Sequence, residues 1–187
     1  MKKHILAAAL SLASFASFAA AESYSIDPSH TYPSFEAPHM GISFWRGKFN
    51  TTSGKVTVDR LAKTGTVDIN IDAKSVDFGH DKMNEHARAP DLFNVEKFPI
   101  INYKGKLIYT GDTPTAVEGA LTMHGVTKSV NLVIGSFKCI MHPMLKKEVC
   151  GADASGLVDR VDFGMDYGAK FGPTAAKLAI QIEAVKD

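Results

Sequence analysis

Val67, Asp68, Ile69, Asn70, Ile71 and Asp72 alternate apolar and polar without a break, and this period of two returns along most of the chain. It recurs from Lys55 to Asp59, from Ser129 to Leu132 and from Leu178 to Glu183. Successive side chains of an extended strand point to opposite faces, so each segment carries Val, Ile and Leu on one face and Asp, Asn, Lys and Glu on the other. Half-buried strands of this kind belong to antiparallel sheet with one wet face. Turn signals punctuate them at short spacing: Thr52-Ser53-Gly54, Lys63-Thr64-Gly65, Thr110 to Pro114, His124-Gly125 and Tyr167-Gly168. There Gly supplies a positive φ, and Pro or Asp starts a turn. Seven or eight strands with short connections predict a sandwich or a barrel. A strongly alternating last strand, Lys177 to Val185, would be an aggregation-prone bare edge. Closure onto the first strands removes that edge, which favours a barrel.

One stretch departs from the rhythm. Gly79 to Ala89 holds good helix formers and no β-branched residue, and Pro90 stops it, so one short helix is expected there. The connection that follows, Asp91 to Pro99, is rich in apolar residues.

The N-terminus reads as a cleavable leader. A short basic stretch, Met1 to His4, precedes an apolar run from Ile5 to Ala19, and Ala19-Ala20-Ala21 offers the small residues a signal peptidase requires. The run is shorter than the roughly 20 apolar residues needed to span a bilayer. The expected domains are therefore a leader over 1–21 and one β domain over 22–187, with export to the periplasm or beyond. The chain has 21 basic and 20 acidic residues; without Lys2 and Lys3, 19 basic residues face 20 acidic ones. A net charge near −1 gives no electrostatic pull towards nucleic acid or an anionic membrane surface.

Cys139 and Cys150 are the only cysteines. In an oxidising compartment two thiols this close in sequence read as one disulfide. The alternative is a copper-type site, because Met141, His142 and Met144 lie between them and soft sulfur ligands suit Cu(I). The remaining histidines, His30, His39, His80 and His86, and His124 in its hairpin turn, form no His-x-x-x-His or His-Glu-x-x-His spacing. No Gly-x-Ser-x-Gly elbow or phosphate loop is present. Catalysis is not expected; the enzyme alternative is a His–Asp acid–base pair at the barrel mouth, acting on a lipid.

Taken in order, the motifs resemble the YceI-like, polyisoprenoid-binding, lipocalin-like proteins. They run from Ile26-Asp27-Pro28-Ser29-His30 through Phe35, His39 to Ser43, Gly47-Lys48-Phe49 and Ser75-Val76-Asp77 to Asp91-Leu92-Phe93 and Phe98-Pro99. The most specific piece is Gly119 to Lys128, and Asp162-Phe163-Gly164 follows near the end. Tyr103 departs from the pattern, standing where Phe is more usual, and so does the Cys139–Cys150 segment. The resemblance implies an all-β, eight-stranded antiparallel lipocalin-like barrel with one short helix, an apolar interior that takes an extended prenyl chain, a periplasmic location and no catalytic residues. An eight-stranded barrel is wide enough to hold one small ligand.

The apolar strand faces supply the candidate ligand-binding set: Phe35, Ile42 and Phe44; Val67 and Ile69; Ile101; Leu132 and Ile134; Phe163 and Met165; Ile180 and Ile182. Met83, Leu92, Phe93 and Phe98 are expected near the mouth, and Ala37, Gly41 and Ala120 are small residues that would keep a lumen open. The expected ligand is a polyisoprenoid, with an isoprenoid quinone such as ubiquinone in first place, drawn by transient contact with a membrane. No cofactor, metal or nucleic-acid partner is expected, and a homodimer is possible. Arg46, Lys48, Lys82 and Arg88, the cations a prenyl phosphate would need, show no convergence in sequence.

Overall fold

The computed structural model describes residues 21–187, so all of the expected leader but Ala21 lies outside the described residues. The strands are β1 (Glu22–Ile26), β2 (Tyr32–His39), β3 (Ser43–Phe49), β4 (Thr52–Asp59), β5 (Thr64–Asp72) and β6 (Val76–Asp77). After the helix α1 (Asp81–Arg88) come β7 (Ile100–Thr110), β8 (Thr113–Met123), β9 (Val126–Ser129), β10 (Leu132–Met141), β11 (Glu148–Asp159) and β12 (Ala175–Lys186).

Every pairing is antiparallel, and the sheet closes: β1-β4-β5-β7-β8-β10-β11-β12 returns to β1 through Tyr24 opposite Lys186. The result is an eight-stranded barrel with one helix. Three neighbouring barrel strands are long segments broken in the middle. β1 and β2 both pair with β12, β4 pairs with β1 while β3 pairs with β2, and β6 continues β5 by pairing with β3. Last and first strands seal each other, so neither is left as the bare edge their alternation would make dangerous.

Side-chain parity changes where the strand segments break and again at a bulge. Trp45 and Phe49 face inward on β3, yet Thr52, Val56 and Val58 do so on β4, because Asn50 and Thr51 insert a bend between them. On β10 a bulge at Gly135 moves the inner face from Leu132 and Ile134 to Phe137 and Cys139. A bulge of this kind kinks a strand and re-aims its side chains.

The helix is shorter than the expected Gly79–Ala89 segment. His80 caps it, its Nδ1 accepting from the Met83 N–H at 3.3 Å, and Asp81 lies in the first turn, where a negative charge suits the helix dipole. Asn84 Oδ1 accepts from the Phe78 N–H at 2.7 Å, and Arg88 donates to the Val76 carbonyl at 3.2 Å. These bonds fix α1 across one end of the barrel.

Candidate functional site

The barrel is hollow. A cavity of about 580 Å³ runs down its axis, bounded at one end by α1, the β2–β3 turn and the loop after Gly164, and reaching Tyr24, Cys150 and Ala184 at the other. That is roughly four times the volume of an engineered cavity that takes up benzene. The walls are almost entirely apolar: Val67, Ile69 and Ile71; Ile101 and Leu107; Val117, Leu121 and Met123; Leu178, Ile180 and Ile182. The space exists because β11 offers a wall of small residues, Ala152 and Ala154, where the other strands present branched chains. Gly119 does the same for one ring. A Cβ there would stand 2.4 Å from the Tyr103 hydroxyl, so the tyrosine lies flat over the glycine and donates to the Val130 carbonyl at 2.9 Å. Burial pushes the Tyr103 phenol up to about 12.

Near the open end five aromatic rings form a collar. Phe35 meets Phe49, Phe78 and Phe93 at centroid distances of 5.7, 5.5 and 6.4 Å, Phe49 meets Phe93 at 5.5 Å, and Trp45 stands edge-on to Phe78 at 6.0 Å. These tilted and T-shaped pairs are the favoured arrangements. Met83, His86 and Ala87 of α1 and Leu92 complete this end, with His86 edge-on to Tyr167 at 5.0 Å. On the wall beside the collar, Thr52 is 1% exposed and its hydroxyl has no hydrogen-bond partner.

A polar network closes the far end. The Tyr24 hydroxyl shares its single proton between Glu22, at 2.9 Å, and Glu148, while Arg60 donates to the Tyr24 oxygen at 3.0 Å, to Glu148 at 2.6 Å and to Glu22. Lys186 adds a bond to Glu22 at 2.5 Å. The Lys186 and Tyr24 hydrogen bonds, with Arg60 nearby, hold the Glu22 carboxyl below its usual range. Burial alone would raise Glu148, but the bonds from Tyr24 and Arg60 outweigh it and lower that carboxyl too. Burial, reinforced by donation to two carboxylates, pushes the Tyr24 phenol far up.

Of the expected ligand-binding residues, Phe35, Val67, Ile69, Met83, Leu92, Phe93, Ile101, Leu132, Ile134, Met165, Ile180 and Ile182 line this cavity. Four do not. Ile42 lies in the β2–β3 turn and is 79% exposed, and Phe44 faces outward, because the inward aromatic of β3 is its neighbour Trp45. Phe163 is buried in the core but outside the cavity lining, and Phe98 packs elsewhere. The Phe98 ring lies 4.7 Å from His124, whose Nδ1 donates to the Phe163 carbonyl at 3.0 Å. His124 is thus partly buried structure rather than a surface turn residue. Ala37 lines the cavity, whereas Ala120 faces the outside beside Lys104 and Gly41 sits in the turn with φ +72°. Among the wall residues that sequence reasoning passed over are Ile71, Leu107 and Leu178, the aromatic collar residues Trp45, Phe49 and Phe78, the small Ala152 and Ala154, and the β8 row of Val117, Leu121 and Met123. The alternation of β8 carried the signal for the latter.

Cys139 and Cys150 stand opposite each other across β10 and β11 and are joined as a disulfide. With both sulfurs bonded, a copper-type centre has no thiolates to use, and Met141 and Met144 project into solvent. Of the four cations a phosphate would need, three are engaged elsewhere. Arg46 pairs with Glu36 at 2.7 Å, Lys48 lies 4.7 Å over the Tyr32 ring and Arg88 is held by Val76.

A YceI-like domain model matches residues 24–185. A UPF0312 protein of Shewanella denitrificans is 32% identical over the full length of both chains. Among solved structures, Burkholderia cenocepacia BcnA superposes with a TM-score of 0.69 at 17% identity, over 85% of this chain and 99% of that one. A polyisoprenoid binding domain from Saccharophagus degradans superposes with a TM-score of 0.66 at 16% identity, over 89% and 99%. By its sequence this chain belongs to the YceI-like family, and its closed barrel is the fold of these solved structures.

Proposed function

We propose that this protein binds a long-chain isoprenoid lipid, an isoprenoid quinone such as ubiquinone in first place, and holds its tail in the barrel lumen for carriage or sequestration. The observation that carries the reading is the lumen itself: about 580 Å³ of apolar space, open at one end, in a fold shared with a domain described as polyisoprenoid-binding. Pockets of this volume and lining suit largely apolar ligands oriented by a few polar groups. The uncharged head group is favoured by the lining, where His39, His86, Tyr167 and the Thr52 hydroxyl can hydrogen-bond and the one arginine, Arg160, is tied to the Met165 carbonyl, so no cluster of cations forms a phosphate cradle.

Energetics define the role. At about 0.8 kcal/mol per buried CH₂, withdrawal of a long prenyl tail from water would exceed any known affinity. The tail lives in a bilayer as apolar as the lumen, so uptake is an exchange with a small net free energy. Such a protein is suited to carrying or sequestering lipid, not to pulling it irreversibly from the membrane. The reading takes the protein to be exported to the periplasm, on the strength of the basic start, the apolar run and Ala19 to Ala21. Native mass spectrometry of protein from a bacterial host, with lipid extraction, tests it. A prenyl lipid at up to one per chain is expected, and uptake independent of tail length by the delipidated protein would refute it.

A further inference from the structure

The cavity mouth is bordered by large apolar side chains that point into water. Met40 and Ile42 of the β2–β3 turn, Phe44 at the start of β3, and Tyr167 and Phe171 of the loop after Gly164 are each about half exposed or more. The two loops touch: the Gly172 backbone packs on Met40 and Gly41, and a Cβ there would stand 3.1 Å from the Met40 carbonyl carbon. Met40, Tyr167 and Phe171 also line the lumen, so the outer apolar rim and the inner wall are one surface. Lys177 lies 5.8 Å from the Phe44 ring and Lys170 5.0 Å from the Phe171 ring. Both lysines are exposed.

We propose that this rim docks on a phospholipid bilayer, with Ile42, Phe44 and Phe171 entering the head-group boundary so that the mouth opens directly into the acyl region. The inference rests on the lumen reading, since it names the surface through which that lumen fills. Three features favour a bilayer over a protein partner. The apolar residues sit in two touching loops and at the adjoining first residues of β3, around an opening rather than on a flat face. Aromatic rings and lysines are interleaved there, the pairing that suits the membrane interface, where a lysine stem lies along apolar surface and its ammonium reaches phosphate. Finally, a tail crossing such a rim never leaves apolar surroundings, which removes the aqueous step that makes lipid transfer slow. The near-zero net charge of the mature chain is no obstacle, because the contact is mainly apolar.

The opposite end of the barrel supplies the control. The β10–β11 hairpin tip exposes Met141, Met144 and Leu145 but is separated from the lumen by the Arg60–Glu148–Tyr24 network. Full-length mature protein is incubated with unilamellar vesicles of phosphatidylethanolamine and phosphatidylglycerol, and partitioning is read by sedimentation. The rim variant Ile42→Ser/Phe44→Ser, which leaves every lumen-lining side chain in place, should lose about tenfold or more in partitioning. It should keep the wild-type melting temperature and its uptake of a short-tailed, water-soluble isoprenoid quinone. The tip variant Met141→Ser/Met144→Ser/Leu145→Ser should partition like wild type. Wild-type partitioning by the rim variant, or loss by the tip variant, overturns the proposal. So does a wild-type dimer in sedimentation velocity that the rim variant dissociates, which would make the rim a contact between two copies of the chain. Failure of wild type to take up the quinone, with vesicle binding still dependent on the rim, would defeat the lumen reading alone.

Discussion

Ala154 sits on the inner face of β11, opposite Ile134 on one neighbouring strand and Ile180 on the other, and its methyl group borders the lumen. Replacing it with Phe sends a ring into that space. A phenyl group needs about the room of a 150 Å³ benzene cavity, or about a quarter of the 580 Å³ present. At about 24 cal/mol per Å³ of cavity filled, the gain is at most about 3.6 kcal/mol. Ordering the ring takes back up to about 1 kcal/mol. If the lumen is open space, lipid-free Ala154→Phe should therefore melt at or above wild type, by as much as several °C at about 2–4 °C per kcal/mol for a chain of this size. The same ring occupies volume the tail requires, so lipid bound per folded molecule should fall sharply. If the strands instead relax onto a solid core in solution, overpacking costs about 1–3 kcal/mol and the variant melts several °C early. Ala120→Phe, on the outer face, should alter neither quantity. Differential scanning calorimetry of delipidated protein and native mass spectrometry of loaded protein make the measurements. Early melting of Ala154→Phe with unchanged lipid per folded chain would refute the reasoning.

Three further outcomes follow from the site. Thr52→Val removes a buried hydroxyl without a partner; lipid-free protein should gain about 1 kcal/mol in denaturant unfolding, while preference for a quinone over the bare prenyl hydrocarbon falls. Reduction of the Cys139–Cys150 bond releases a hairpin loop with a sequence separation of 11; stability should drop by about 3 kcal/mol, read as an earlier chemical melt with reductant than without. Glu22 and Glu148 have lowered pKa values when folded; their contribution is complete above the ordinary carboxylate range and is lost as the pH falls through the folded values. Acid unfolding followed by tryptophan fluorescence should therefore begin at higher pH in the Arg60→Gln protein, from which a cation that helps Tyr24 and Lys186 lower these carboxyls has been removed.

Alternation along the chain determined the antiparallel strands, the closed barrel and the facing of most wall residues. Val67 with Ile69, Leu132 with Ile134, and Ile180 with Ile182 point inward as their spacing requires, since a regular strand allows two choices and burial selects one. The short helix was legible from composition and Pro90, and the disulfide from the two cysteines. Tertiary structure decided the rest. On β3, Phe44 and Trp45 are adjacent aromatics, and no local rule says which faces in; pairing with β2 and contact with Phe78 chose Trp45. The Asn50–Thr51 bend and the Gly135 bulge shift parity by a residue, so counting in twos fails across them. Phe98 and Phe163 have the composition of wall residues, but Phe98 packs on His124 and Phe163 is buried in the core outside the lining. Whether the barrel is hollow depends on a sum over all eight strands, with Ala152 and Ala154 facing branched chains across the axis. An apolar inner face reads the same residue by residue whether the volumes meet or leave a lumen, and only the closed barrel sets the space they must fill.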